Sequence, residues 1–388
     1  MDGTRARLDA PGEASRPSTS TSGQDGTSHG PQRSEADGTE DADGAETSQE
    51  DDGHRGRGDA LAGAVAVSEL RVDDLTGRHV LVAPGRAARP HTVARVTADH
   101  PVAPPTDCPF CPGHEDRTPP EVCRTGHGEP DTPGWRVRVV PNLYPIVGGT
   151  GSPTSARGAH EVVILHPDHS RDVGRLDDDA AIEVFSVLQA RARTHAAAGF
   201  AHNQVLVNQG RASGASIAHP HAQVLAIEAV PPAVADALER FATTGADLVA
   251  ADALLARARG TEILGGDVAA WAPWAGSSPY ETRIAASAAG ARFEEASDAI
   301  IAGVALATRD IVAALRAVSG DVAYNVVVHN APTRAAVEGV GFHWYTTVLP
   351  RVAIPAGFEL GTGLYVNTVD PTDAAAALRD ALAGSSAG

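Results

Sequence analysis

The chain has 388 residues, enough for two or three domain-sized units with a substantial core, and 49 acidic residues against 31 basic ones, all arginine, for a net charge of -18. That balance argues against a general nucleic-acid or membrane-surface binder, yet a small phosphorylated substrate could still sit in a local arginine pocket. The three cysteines, an odd number, suggest no disulfide framework.

Residues 1–58 contain no Phe, Trp or Tyr and are rich in Asp, Glu, Gly, Ser and Thr. Such a segment cannot bury enough apolar surface to offset its ordering entropy, so it is expected to be a disordered acidic tail. It lacks the apolar core of a secretory signal, and the apolar run Ala60 to Val67 is far shorter than the ~18 residues that span a bilayer. A soluble, cytoplasmic protein is the expectation. Arg71 to Val96 then reads as a hairpin carrying RHVLVAPGRAARP, in which Arg86 and Arg89 flank the loop after an apolar strand. Guanidinium forks at that position suit phosphate.

Cys108 and Cys111 form a C-x-x-C, with Cys123 apart. A redox pair would want a helix start just after a strand. The proline-rich loop TDCPFCPGHEDRTPPEV favours half of a zinc site, which needs two more ligands. Trp135 to Val139 alternates like a strand and turns at Pro141, which leaves Asn142 as either a ligand contact or a turn asparagine bonded to its own backbone. A buried strand is expected at 161–165 within EVVILHPDHS, and His169 at the turn beyond it is a candidate ligand together with His219. His160 and His166 compete for the same role. Arg175 to Gly199 is a helix with Ile182, Phe185, Val187 and Leu188 on its apolar face.

The stretch VNQGRASGASIAHPHAQVLAI follows, with strands expected at 204–208 and 222–227 around a glycine-rich turn. In an extended segment residues i and i+2 share a face, so His221 and Gln223 point together while His219 is free to bind nearby. An imidazole beside an uncharged amide and exposed backbone N–H groups suits attack on a phosphate ester, with His221 as nucleophile and Gln223 and the loop as donors. A bare His-x-His is also found as a core, surface or simple metal pair. A weaker copy comes next, with strands at 280–286, 323–329 and 341–349 around a helix at 296–318. VVHNAP stands where VLVNQG stood and FHWYT where HPHAQ stood, so this copy lacks the paired histidines. The chain ends with GFELGTGLYVNTVDP, where Glu359 and Asn367 are polar candidates, and a helix at 371–383. The expected fold is α+β: a tail at 1–58 and two tandem α/β units with antiparallel sheets, 59–230 and 231–388.

HPHAQ after N-x-G-x-x-x-G-x-S resembles the galactose-1-phosphate uridylyltransferase branch of the histidine-triad superfamily. Its transferases carry glutamine, as at Gln223, where the hydrolases end in a third histidine. The resemblance covers roughly residues 70 to 380 and implies two histidine-triad-like units, the first catalytic. It implies one structural Zn2+ per chain in a closed set of Cys108, Cys111, His169 and His219. It places Arg86 and Arg89 at the border of the active site and Asn142 near base and ribose. Asn208, Gly214 and Ser216 would contact the phosphates, and Glu359 would contact the sugar in a neighbouring subunit, hence a homodimer. Many relatives hold a second metal through a glutamate and three histidines. Here His329 and His343 remain, but Tyr345 and Thr347 stand where histidines would be expected and Ala237 near the glutamate's place, with Glu239 close by, so this metal is expected to be absent.

The reaction implied is ping-pong transfer of UMP from UDP-glucose to galactose 1-phosphate, in galactose metabolism. His221 would attack through Nε2 while a backbone carbonyl holds its Nδ1–H. One departure concerns Ala215, which precedes Ser216 where many bacterial members have cysteine. The GAS version also occurs in relatives acting on adenine nucleotides, including enzymes that split ADP-sugars with inorganic phosphate, so an ADP-sugar phosphorylase is the alternative. A non-catalytic nucleotide-binding protein is a second alternative.

Overall fold

The protein is described from a computed structural model covering residues 67–88, 106–148, 156–288, 290–334, 340–353 and 355–385. The expected tail at 1–58 and Arg89 lie outside the described residues. The first elements are β1 (Glu69–Val72) and β2 (His79–Val82), an antiparallel hairpin with Glu69 opposite Val82. The first repeat comprises β3 (Cys123–Gly126), β4 (Trp135–Pro141), β5 (Gly158–Ile164), α1 (Asp178–Ala197), β6 (His202–Gln209) and β7 (His221–Ile227). Two helices, α2 (Pro232–Thr244) and α3 (Leu248–Arg259), lead into the second repeat. It holds β8 (Glu262–Leu264), β9 (Val268–Trp271), β10 (Thr282–Ala286), α4 (Asp298–Ser319), β11 (Tyr324–His329) and β12 (Tyr345–Pro350). The chain closes with α5 (Gly357–Thr362), β13 (Tyr365–Asn367) and α6 (Pro371–Ser385).

The duplication read from the sequence is explicit in the large antiparallel sheet, whose order is β3-β4-β5-β7-β6-β11-β12-β10-β9-β8. Each half repeats the other in reverse, and the halves join where β6 pairs β11, with Asn208 opposite Asn325 and Val207 opposite Val326. The strands fall within a few residues of their expected positions. β7 starts one residue earlier than expected, so His221 is its first residue. α2, α3, β8 and β9 had no counterpart in the sequence reading. The hairpin expected over Arg71 to Val96 differs from the one observed, β1–β2 over residues 69–82, which places Arg86 beyond it; residues 89–96 lie outside the described residues. β2 also pairs in parallel with β13, so a sheet of order β1-β2-β13 ties the start of the described chain to its end.

Period-2 alternation divides the strands between two faces. On one face Val137, Val139, Val163, Leu165, Val205, Val207, Ala222 and Val224 meet α1 and α4 in the main core. α1 begins at Asp177, whose carboxylate caps the N–H of Ala180, and buries Val184, Phe185 and Leu188. α4 is capped by Ser297 and buries Val304, Ile311 and Leu315. Each large apolar side chain buried this way contributes about 1.5–3 kcal/mol. The other face of the first repeat carries a smaller cluster of Cys108, Phe110, Cys111, Trp135, Val140, Val162 and Ile164, and this face holds the candidate site. Among the described residues no helix is long and apolar enough to cross a membrane.

Candidate active site and metal centre

Cys108, Cys111, His169 and His219 converge, with one ligand atom of each inside a 4.8 Å set. His219 Nδ1 lies 3.6 Å from both Cys108 Sγ and Cys111 Sγ, and His169 Nδ1 lies 3.4 Å from Cys111 Sγ. In a tetrahedral zinc site with bonds of about 2.3 Å to sulfur and about 2.1 Å to nitrogen, ligand atoms stand about 3.6 Å apart. The four side chains therefore fit a tetrahedral cation that accepts sulfur and nitrogen. Burial and the neighbouring Cys108 push the Cys111 thiol up to about 12, so a divalent cation is the natural counter-charge for two thiolates packed this closely. Burial pushes His219 down to about 4 and lowers His169, which leaves both imidazoles neutral, as a ligand must be. His219 Nε2–H donates to the His166 carbonyl at 2.8 Å, which fixes the tautomer and turns Nδ1 toward the sulfurs.

The competing histidines are placed elsewhere. His166 uses Nδ1 to accept the backbone N–H of Asp168 and faces a cleft lined by Asp177, Asp179 and Glu183. His160 lies on β5 with its Nε2 2.7 Å from Gln223 Oε1. The C-x-x-C is thus part of a four-residue cluster, in keeping with a metal knuckle.

Two residues beyond His219, the His221 ring is buried with Phe110 edge-on at 5.4 Å. Its Nδ1–H donates to the His219 carbonyl at 2.9 Å, so Nε2 carries the free lone pair, and burial lowers its basicity so that the ring is neutral. The backbone of one metal-cluster residue therefore sets the tautomer of the candidate nucleophile. Gln223 shares the His221 face of β7, as the alternation of the strand requires.

The glycine loop lies between β6 and β7. Gly210 (φ +84°) and Gly214 (φ +93°) adopt backbone angles that side-chain-bearing residues rarely take, and they bracket a tight turn at Arg211–Ser213. A Cβ at Gly214 would stand 4.0 Å from Asn208 Nδ2, so the loop folds over that amide. Asn208 Oδ1 accepts from Asn325 Nδ2 at 2.6 Å, and Asn325 also donates to the Ser213 carbonyl at 3.0 Å and accepts from Arg351 Nε at 2.6 Å. Ser216 and Gly214 are exposed. The expectation that the Gly214 N–H serves a ligand meets a competitor here, because that group donates to the Arg211 carbonyl at 3.0 Å.

The remaining candidates are more scattered. Asn142 takes the turn role foreseen for it, since its Oδ1 accepts from the Tyr144 N–H, and its Nδ2 lies 3.1 Å from His160 Nε2. Arg86 is exposed on the turn Pro84–Ala88. Glu359 accepts the Ala356 N–H and lines a cavity of about 220 Å³ with Arg78, Arg351 and Tyr365, none of which belongs to β7. In the second repeat His329 stacks on Tyr345 at 4.3 Å and bonds Thr347, whereas His343 bonds Asp247 and the Ala286 carbonyl, so each has partners of its own. Arg283 fills the interior beside Tyr345, paired with Asp73 and Asp252. Sequence reasoning missed Asn325 and Arg351 altogether and took His160 only as a rival ligand. Strand alternation could have placed His160 on the face of Val162, but it could not have shown which strand that face meets.

A model of the galactose-1-phosphate uridyl transferase N-terminal domain matches residues 152–231, the segment that holds the glycine loop and strands β5, β6 and β7. An ADP-glucose phosphorylase of Arabidopsis thaliana is 29% identical over 347 residues, covering 84% of this chain and 96% of that protein. A galactose-1-phosphate uridylyltransferase of Cryptococcus neoformans is 31% identical over 193 residues, 44% of this chain and 48% of the relative. The crystal structure of the Arabidopsis thaliana ADP-glucose phosphorylase with bound ADP-glucose superposes with a TM-score of 0.69 at 28% identity, covering 81% of this chain and 99% of that one. A uridylyltransferase structure superposes with a TM-score of 0.61 at 25% identity, covering 82% and 99%.

Proposed function

We propose that this chain, a relative of the galactose-1-phosphate uridylyltransferases, transfers a nucleoside monophosphate from a nucleotide sugar through a nucleotidyl-His221 intermediate. The observation that carries the reading is the His221 Nδ1–H bond to the His219 carbonyl, which leaves Nε2 as a neutral nucleophile. Nε2 attacks the α-phosphorus, the P–O bond to the sugar phosphate breaks, and the sugar 1-phosphate leaves with the bonding pair. The Nδ1 proton stays on the ring, shared with the His219 carbonyl, and stabilises the imidazolium of the intermediate. Gln223 and Ser216 donate to the phosphoryl oxygens, while the Asn208 amide and Arg86 hold the outer phosphate. A second phosphate-bearing acceptor then attacks the same phosphorus and frees the histidine. When bound by Cys108, Cys111, His169 and His219, Zn2+ supplies a rigid structural tie; the protein residues that ligate it hold the HPH segment in place.

Two donor and acceptor pairs suit this site. In the first, ADP-glucose adenylylates His221 and inorganic phosphate releases ADP, with glucose 1-phosphate as the other product. Ala215 before Ser216 and a phosphorylase relative matched over 96% of its length favour it. In the second, UDP-glucose uridylylates His221 and galactose 1-phosphate takes the UMP, as the His-Pro-His-Ala-Gln strand suggests. A homodimer, with Glu359 contributing to the neighbouring subunit, belongs to the same proposal. Intact-protein mass after brief incubation with each nucleotide sugar separates the readings. An acid-labile adenylyl adduct discharged by phosphate is the expected result. A uridylyl adduct discharged by galactose 1-phosphate would establish the second pair. Absence of any adduct, or an adduct that persists in His221→Ala, would overturn the nucleotidyl-histidine reading.

A further inference from the structure

His160 is buried on β5, and its ring touches two parts of the site at once. The registers Val162 opposite Gln223 and His160 opposite Leu225 put His160 and Gln223 on one face as diagonal neighbours across the β5–β7 ladder. The backbone N–H of Ile146, in the loop after β4, points at His160 Nδ1 at 3.3 Å. A backbone amide can only donate, so Nδ1 is bare and a neutral ring carries its proton on Nε2. That proton then meets Gln223 Oε1 at 2.7 Å. The alternative, a bare Nε2 facing the amide oxygen, would set two lone pairs against each other. Asn142 Nδ2 also lies 3.1 Å from Nε2, but the single Nε2–H cannot donate to Gln223 while its nitrogen accepts from Asn142, so the shorter contact is the bond.

We propose that His160 is a positioning residue: it grips the Gln223 oxygen and thereby presents the Gln223 NH2 group as a donor toward the phosphoryl group attacked by His221. An unheld glutamine could turn its amide over and offer an oxygen to an anionic phosphate, which repels rather than stabilises it. The chain of contacts also joins the Asn142–Ile146 loop to the catalytic amide through one ring. The inference rests on the nucleotidyl-transfer reading of the site.

The test uses the zinc-loaded full chain and follows the single-turnover rate of adduct formation with ADP-glucose and with UDP-glucose. His160→Leu should slow the step by about 10- to 100-fold, the range typical of groups that orient a catalytic side chain, while metal content and nucleotide-sugar affinity stay near wild type. His160→Gln, whose amide N–H can reach the same oxygen, should recover most of the rate. In a Gln223→Ala background His160→Leu should cost nothing further, whereas a purely structural histidine would cost the same in both backgrounds. An unchanged rate in His160→Leu, or an equal loss in both backgrounds, would overturn the proposal. Imidazole ¹⁵N shifts of the unliganded wild type supply a readout that needs neither turnover nor a variant that folds. A protonated Nε2 with a bare Nδ1 is expected, and the opposite tautomer would overturn the positioning role. If wild type forms no adduct, the function proposed above fails while the ¹⁵N result still decides the role of His160.

Discussion

Asn325 is a residue through which the second repeat holds the glycine loop of the first, and its removal should be costly in a calculable way. It is 5% exposed, it donates to Asn208 Oδ1 and the Ser213 carbonyl, and it accepts from Arg351 Nε. In Asn325→Ala the two acceptors lose their donor inside the protein, whereas the half-buried Arg351 can turn to water. At about 1–3 kcal/mol for each buried group left without its partner, and with partial relaxation, the loss is about 2–4 kcal/mol. An unfolding entropy of about 2.1 cal/mol/K per residue, applied to the unit from Ala62 to Gly388, converts this into a melting-temperature drop of about 3–6 °C. Asn325→Asp is the sharper variant. It keeps the shape and can pair with Arg351, but it sets a carboxylate against two oxygens, so it should fall at least as far as alanine. Calorimetry of both variants in the zinc-loaded state checks the reasoning. A melting temperature within 1 °C of wild type for either variant would refute the claim that these bonds fasten the loop.

Cys108→Ser should abolish stoichiometric zinc, read by elemental analysis. It should also slow adduct formation, because the His219 carbonyl that holds His221 Nδ1–H is anchored through the same cluster; retained zinc and stability would sink the assignment. Chelation of the wild-type metal should reproduce both effects. Burial pushes His202 down to about 4, so the unfolded chain binds a proton below about pH 6.5 that the folded chain refuses. Its contribution is therefore complete above pH 6.5 and is lost as the pH falls toward 4, for a total of roughly 3 kcal/mol. Stability curves against pH should be flatter over that window in His202→Leu than in wild type, and parallel curves would refute the assignment.

The repeats, their order and the residue types of the site were legible along the chain because those features are local. Alternation marks a strand, the 3.6-residue period marks α1 and α4, glycines at 210 and 214 mark a turn with positive φ, and cysteine spacing marks a knuckle. Residues two apart on a strand share a face by geometry alone, so His221 and Gln223 could be paired without knowing what lay opposite.

Partnership between strands was a different matter. His160, His166, His169 and His219 are four imidazoles of one chemistry, and nothing local says which pair joins the cysteines. The register of β5 on β7 sends His160 to Gln223, and the turn after β5 sends His169 to Cys111. Likewise Asn208 meets Asn325 across 117 residues because whole faces of the large sheet must pack against α1 and α4 at once, and β2 meets β13 in a second sheet whose Val80 and Val82 pack with Ala275 and Tyr365. A register is fixed by the sum of many such contacts, since a slip of one residue would turn every buried side chain outward. No single segment carries that sum. The chemistry of the site was therefore written in the residues, and its connections were set by the packing of the complete sheet.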